Sequence, residues 1–307
     1  MKQLKTFAHN VRKQWMLWAM AAPAIIAVFI FKYLPMGGLI MAFQRLDYKK
    51  GIFTSPFVGL KNFKFLFTTT DAWVITRNTI LYNVVFIVLE MILAVALAII
   101  MSELTCKLYS KALQTVFIMP YFLSMVVIST IAYAFLSPSN GYINSVLVKL
   151  GFDSINWYGE KSIWPFLLVL VYMWKHVGYS SVVYMATIAG ISSEYYEAAA
   201  LDGASKWQQI RYITIPHLRQ IIVIKMIMAI GKIFHADFGL FYTVPRDSGA
   251  LYPVTNVLDT YIYRALKEMN NIGMSTAAGL YQSVVGFFLV MFANWVVTKI
   301  DSDSAMF

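Results

Sequence analysis

Six long apolar runs separated by polar connections restrict this 307-residue chain to one kind of architecture. They fall at about 15–42, 76–101, 113–136, 164–189, 218–240 and 277–299, each near the roughly 20 residues a helix needs to cross the hydrocarbon core of a bilayer. The chain is therefore expected to be an all-α integral membrane protein with six transmembrane helices, forming a single domain over 1–307. Its composition agrees: 59% of residues are apolar and 13% charged, so most of the surface is solvated by lipid.

Lys2, Lys5, Arg12 and Lys13 precede the first run. That run is too long for a signal peptide and has no small-residue cleavage site, so it is read as a retained span, bent or ended by Pro23 and Pro35. Six spans place both termini on one side. Basic residues do not settle which, because Arg45, Lys49, Lys50, Lys61 and Lys64 after the first run nearly balance the N-terminal cluster.

Several functions are excluded by what is absent. Cys106 is the only cysteine, and His9, His176, His217 and His235 are scattered, so no metal-ligand spacing and no internal disulfide is available. The net charge of +10 is spread through loops, which suits anionic lipid headgroups better than nucleic acid. There is no paired acid or nucleophile with a base, and no G-x-x-x-x-G-K-[ST] phosphate loop. The chain is not expected to be an enzyme or to bind ATP itself.

Polar and aromatic residues inside the spans mark candidate solute contacts. Tyr172, Lys175 and Tyr179 fall at i, i+3 and i+7 on the fourth span, with Trp174 beside them. Aromatic faces suit pyranose rings; packing against another span is the competing account. The fifth span holds Lys225, Lys232, His235 and Asp237, and ionisable groups at such depth face a partner or a watery cavity. Lys225 lies near the span end and is able to snorkel, whereas Lys232 lies deeper and pairs with Asp237, with a second subunit, or with solute. Lys175 and Lys232 outweigh the acids, which suggests cargo bearing carboxylates. Tyr281 and Gln282 of the last span join the candidates if the helix is suitably rotated.

Between the fourth and fifth spans, residues 192–216 read SSEYYEAAALDGASKWQQIRYITIP. Ser193 is a cap for a first helix, Gly203 stops it, Ser205 caps a second, and Trp207, Ile210 and Ile213 give that helix an apolar side. The spacing Glu197, Ala198, Ala199, Gly203, Ile213, Ile215, Pro216 resembles the E-A-A-x3-G-x9-I-x-L-P signature of ABC importer permeases, with Ile215 in place of leucine. FKYLPMGGLIMAF at 31–43, VGLKNFKFLF at 58–67, FLSPSNGYIN at 135–144 and AGLYQSVVGFFLVMFANWVV at 278–297 are similar to the carbohydrate branch of that family, above all its polysaccharide-type permeases from Gram-positive bacteria.

The resemblance implies a type I importer permease whose 192–216 loop is a cytoplasmic helix-turn-helix that couples to an ATPase, with those seven residues at the contact. It implies a second homologous permease, two ATPase subunits that hold ATP and Mg, and an extracellular substrate-binding protein. Both termini are then cytoplasmic in a bacterial cell membrane, and saccharide fragments, uronate-bearing ones among them, are taken up by alternating access. A secondary transporter and a permease for a non-sugar solute are the alternatives; Glu90 and Asp237 are few and isolated for ion coupling.

Overall fold

The computed structural model describes residues 13–104 and 106–300, and the basic residues Lys2, Lys5 and Arg12, with His9, lie outside them. Its secondary structure is helical, with one isolated bridge between Gln44 and Phe57 among the described residues. Helix α1 (Trp15–Phe43) is 29 residues long and apolar enough to cross a membrane. Neither proline ends it: Pro23 lies inside the α-helical part, and Pro35 opens a closing 3-10 stretch.

Helix α2 (Thr70–Glu103) starts where the Thr69 hydroxyl accepts the Ala72 amide at 3.2 Å, with Asp71 in its positively polarised first turn. Its 34 residues exceed what one crossing requires, so its ends project beyond the apolar layer. The third apolar run, expected as one span at 113–136, is two helices, α3 (Lys107–Ile118) and α4 (Met125–Leu136), meeting at 99°. Pro120 sits in the 3-10 turn between them, and the Ser124 hydroxyl caps α4 by accepting the Val127 amide at 3.3 Å. Short helix α5 (Tyr142–Lys149) leads to α6 (Trp164–Ala189), which packs along α2.

Helix α7 (Ser193–Leu201) and helix α8 (Lys206–Ile230) follow. The fifth run was expected to span 218–240, but α8 starts inside the polar unit and stops at Ile230. Residues 231–234 form a turn, 235–237 have no regular structure, and a π-type turn at Gly239–Thr243 follows. Helix α9 (Leu258–Lys267) then covers that end of the molecule, and α10 (Ile272–Ile300) returns along α8, α9 and the end of α1. Counting the bent α3–α4 pair as one span, the described residues contain up to six crossings.

The largest buried cluster, including Phe86, Trp164, Leu168, Leu240 and Phe241, ties α2 and α6 to the folded-back segment after α8. At the same end the buried Arg264 side chain donates to Asp247 Oδ1 at 2.5 and 3.1 Å and to Asn256 Oδ1 at 2.8 Å. Arg246 and Asp247 hold positive φ of 55° and 48°, a conformation this network supports. In the loop before α6, burial pushes the Tyr158 phenol up to about 12, and its hydroxyl stays neutral.

Candidate functional site

Two sites stand at different levels of the molecule. The first is a cavity of about 440 Å³ beside the middle of α2, walled by α2, α6, α8 and the unwound stretch 231–237. Asn83, Phe86 and Glu90 come from α2, Tyr172, His176, Ser180 and Tyr184 from α6, Lys225 from α8, and Lys232, His235 and Asp237 from the segment after it. The α6 residues lie four apart, a spacing that keeps side chains on one helical face.

Glu90 is held by two hydroxyls: Tyr172 donates to Oε2 at 3.1 Å and Ser180 donates to Oε1. Rings form one wall, with Phe86 stacked on Tyr172 at 3.9 Å and Tyr172 on His176 at 4.3 Å. His176 Nε2 is buried without a hydrogen-bond partner, 3.9 Å from Asp237 Oδ2. Lys225 Nζ lies 4.8 Å from the centre of the Tyr184 ring. Among the described residues neither Lys225 nor Lys232 has a carboxylate within ion-pair distance. The pairing of Lys232 with Asp237 weighed from the sequence is therefore not made; Asp237 faces His176.

Five expected path residues stand elsewhere. Lys175 is buried because its Nζ donates to the carbonyls of Tyr121 at 2.9 Å and Leu123 at 2.5 Å, satisfying the break between α3 and α4. Tyr179 stacks on Tyr121 at 3.9 Å, and Trp174 is exposed on the outside of α6. Tyr281 packs edge-on against Phe67 and Phe234, while Gln282 is buried against the Phe234 carbonyl. Tyr172, Lys232, His235 and Asp237 do line the cavity. Glu90, His176, Ser180, Tyr184 and Lys225 join them. The positive excess inferred from Lys175 is absent here, since Lys225 and Lys232 face Glu90 and Asp237.

The second site is the helix-turn-helix of α7 and the start of α8. Ser192 rather than Ser193 caps α7, accepting the Glu194 amide at 3.4 Å. Gly203 ends it at φ +79°, where the Ala204 amide donates to the Ala199 carbonyl at 2.8 Å. Ser205 and Gln208 form a reciprocal capping box that starts α8. Tyr196 and Thr214 join the helices through their hydroxyls at 3.0 Å, and Lys206 pairs with Glu103 of α2 at 3.0 Å.

Glu197, Ala198, Gly203, Ile215 and Pro216 are exposed, while Ala199 and Ile213 are half-buried. Ile210 is half-buried like Ile213, but Trp207 is 67% exposed and does not share their packing. Leu201, 90% exposed, adds to an apolar surface at this end.

The sequence pattern of the family described as the inner membrane component of binding-protein-dependent transport systems matches residues 77–302. The chain belongs to this family. The polygalacturonan/rhamnogalacturonan transport system permease protein YteP of Bacillus subtilis (strain 168) is 31% identical over 291 residues, 95% of this chain and 90% of that protein. A crystal structure of a bacterial ABC transporter involved in import of the acidic polysaccharide alginate superposes with a TM-score of 0.87 at 30% identity, covering 96% of this chain and 99% of that one. A second structure, of the bacterial alginate transporter with an alginate pentasaccharide-bound periplasmic protein, gives 0.84 at 30% identity, covering 95% and 97%. The permease is thus a multi-pass membrane transport subunit with the type I ABC importer fold.

Proposed function

We propose that this permease passes oligosaccharide fragments carrying carboxylates, such as uronate-containing products of polysaccharide breakdown, through the cavity beside α2. The observation that carries the reading is the pair Lys225 and Lys232, which share an aromatic-walled cavity with Glu90 and Asp237 yet, among the described residues, have no carboxylate within ion-pair distance. Lys232 is exposed and Lys225 half-buried over the Tyr184 ring, so both ammoniums are open to an arriving anionic solute without first giving up an ion pair. The Phe86–Tyr172–His176 stack supplies flat faces for sugar rings. The acidic cargo of the alginate importer, whose permease has the same fold, supports the same class.

In this reading ATP and Mg belong to two partner ATPase subunits, and a second homologous permease completes the cavity. The α7–α8 unit with Glu197, Ala198, Ala199, Gly203, Ile213, Ile215 and Pro216 docks the ATPase on the cytoplasmic side, where both chain termini also lie. A substrate-binding protein delivers cargo at the opposite end. Closure of the ATPase pair draws the units together and opens the cavity outward, and hydrolysis resets it. Family membership removes the support for a secondary transporter.

The test is ATPase activity of the purified complex with its binding protein and a panel of uronate and neutral oligosaccharides. Uronate oligomers are expected to stimulate hydrolysis, and Lys225→Gln and Lys232→Gln are each expected to raise the half-saturating concentration on the order of tenfold. Equal stimulation by neutral oligosaccharides would remove the carboxylate claim.

A further inference from the structure

Residues 231–237 lack a continuous helical ladder, keeping only short turn bonds such as Lys232 to Ala229 and His235 to Lys232, and they lie beside the cavity. Side chains from three other helices bond three of their backbone groups. Asn83 of α2 donates to the Ile233 carbonyl at 3.0 Å, and Gln282 of α10 donates to the Phe234 carbonyl at 2.7 Å. Asp259 of α9 accepts the Ala236 amide through Oδ2 at 2.6 Å, and Gln282 donates to that same oxygen at 3.1 Å. Asp259 and Gln282 therefore act as one clamp.

The start of the stretch is fixed as well. Gly231 crosses α10 so closely that a Cβ on Gly286 would stand 2.7 Å from the Gly231 carbonyl oxygen. Held groups and cavity groups interleave along the chain: 233, 234 and 236 are anchored, while 232, 235 and 237 carry the ionisable side chains. Asn83 also lines the cavity, but Asp259 and Gln282 do not.

We propose that Asp259 and Gln282 are positioning residues that set how Lys232, His235 and Asp237 face the cavity, and thereby how tightly a carboxylate-bearing saccharide is held. The inference rests on the cavity being the saccharide path. Its test uses the complete transporter with a binding protein loaded with a uronate trisaccharide. Gln282→Leu keeps the bulk and removes both donated bonds, whereas Asp259→Asn keeps an acceptor for the Ala236 amide. A cysteine at Ala236, in a Cys106→Ser background, reports the shape of the stretch through its rate of reaction with a charged thiol reagent.

Gln282→Leu is expected to change that labelling rate several-fold and to raise the half-saturating trisaccharide concentration about tenfold, with a much smaller effect on the maximal rate. Asp259→Asn is expected to stay within about twofold of the parent on both measures. Should Gln282→Leu fail to assemble, Gln282→Asn, one methylene shorter, carries the same expectation. Unchanged labelling overturns the positioning claim, as does a loss of maximal rate with unchanged half-saturation and labelling. Altered labelling with unchanged half-saturation instead overturns the cavity as the saccharide path, and the specificity claim falls with it.

Discussion

Two lysines eight residues or more inside the apolar runs have opposite fates, and the difference lies in what each Nζ meets. Lys175 donates to the carbonyls of Tyr121 and Leu123, which the break between α3 and α4 leaves without intrahelical donors. Replacing it with methionine strands both carbonyls, at about 1–3 kcal/mol each. Lys175→Met is expected to lower the unfolding temperature of the purified permease markedly, while Lys232→Met leaves it near the parental value and weakens saccharide stimulation. An unaltered unfolding temperature for Lys175→Met would show that the lysine does not hold the break. The sequence made Lys175 prominent because a charge in an apolar run draws attention to itself, and i, i+3, i+7 joined it to Tyr172 and Tyr179. The face turned to the cavity follows the other helical row, Tyr172, His176, Ser180 and Tyr184, four apart. That row was legible as spacing but carried only one basic residue, His176, so nothing local separated it from packing.

At the scale of the element, apolar runs reveal where the chain enters lipid and hide where a helix breaks inside it. Pro120 followed by Ser124 is a stop and a cap, and Gly231 followed by Lys232, His235 and Asp237 is an unfavourable helix in lipid, yet both lie in runs apolar enough to read as continuous. The α7–α8 unit was more legible because its signals are local: Gly203 at positive φ and the Ser205–Gln208 box need no distant partner. Gly178 is the contrary case, since its reason lies on another helix. A Cβ there would overlap the Phe117 carbonyl and lie 3.0 Å from the Ile118 amide nitrogen, both backbone atoms of α3 that cannot swing aside. Gly178→Ala is expected to destabilise the permease by roughly 1–3 kcal/mol through the forced separation of α3 and α6. Gly279→Ala, with nothing within 4 Å of the new methyl, is the matched control and should be neutral or slightly stabilising. Equal thermal unfolding of the two variants would show that the α3–α6 crossing tolerates the methyl. Gly203→Ala meets no neighbour, so its expected loss is the positive-φ strain alone, about 1 kcal/mol.

For the whole molecule, the element proposed to dock the ATPase and the element that lines the cavity are one continuous piece of chain. Helix α8 starts at Lys206 in the docking unit and ends at Ile230, directly before the stretch that carries Lys232, His235 and Asp237. In the proposed coupling, motion of the unit reaches the cavity wall along these 25 residues of helix. Such a lever works for import only if the unit faces the cytoplasm, and basic residues alone do not decide this because both ends of the bundle carry them. Cys106 provides a direct reading. It is exposed in the turn between α2 and α3, at the end where Glu103 pairs with Lys206 of the docking unit. Lys161, exposed in the loop before α6, lies at the other end of that helix. In intact cells a membrane-impermeant maleimide is expected to spare Cys106 and to label Lys161→Cys in a Cys106→Ser background; in inverted vesicles the pattern should reverse. Labelling of Cys106 from outside intact cells would place the docking unit away from ATP and overturn the coupling role of Glu197 and Gly203 together with the direction of transport.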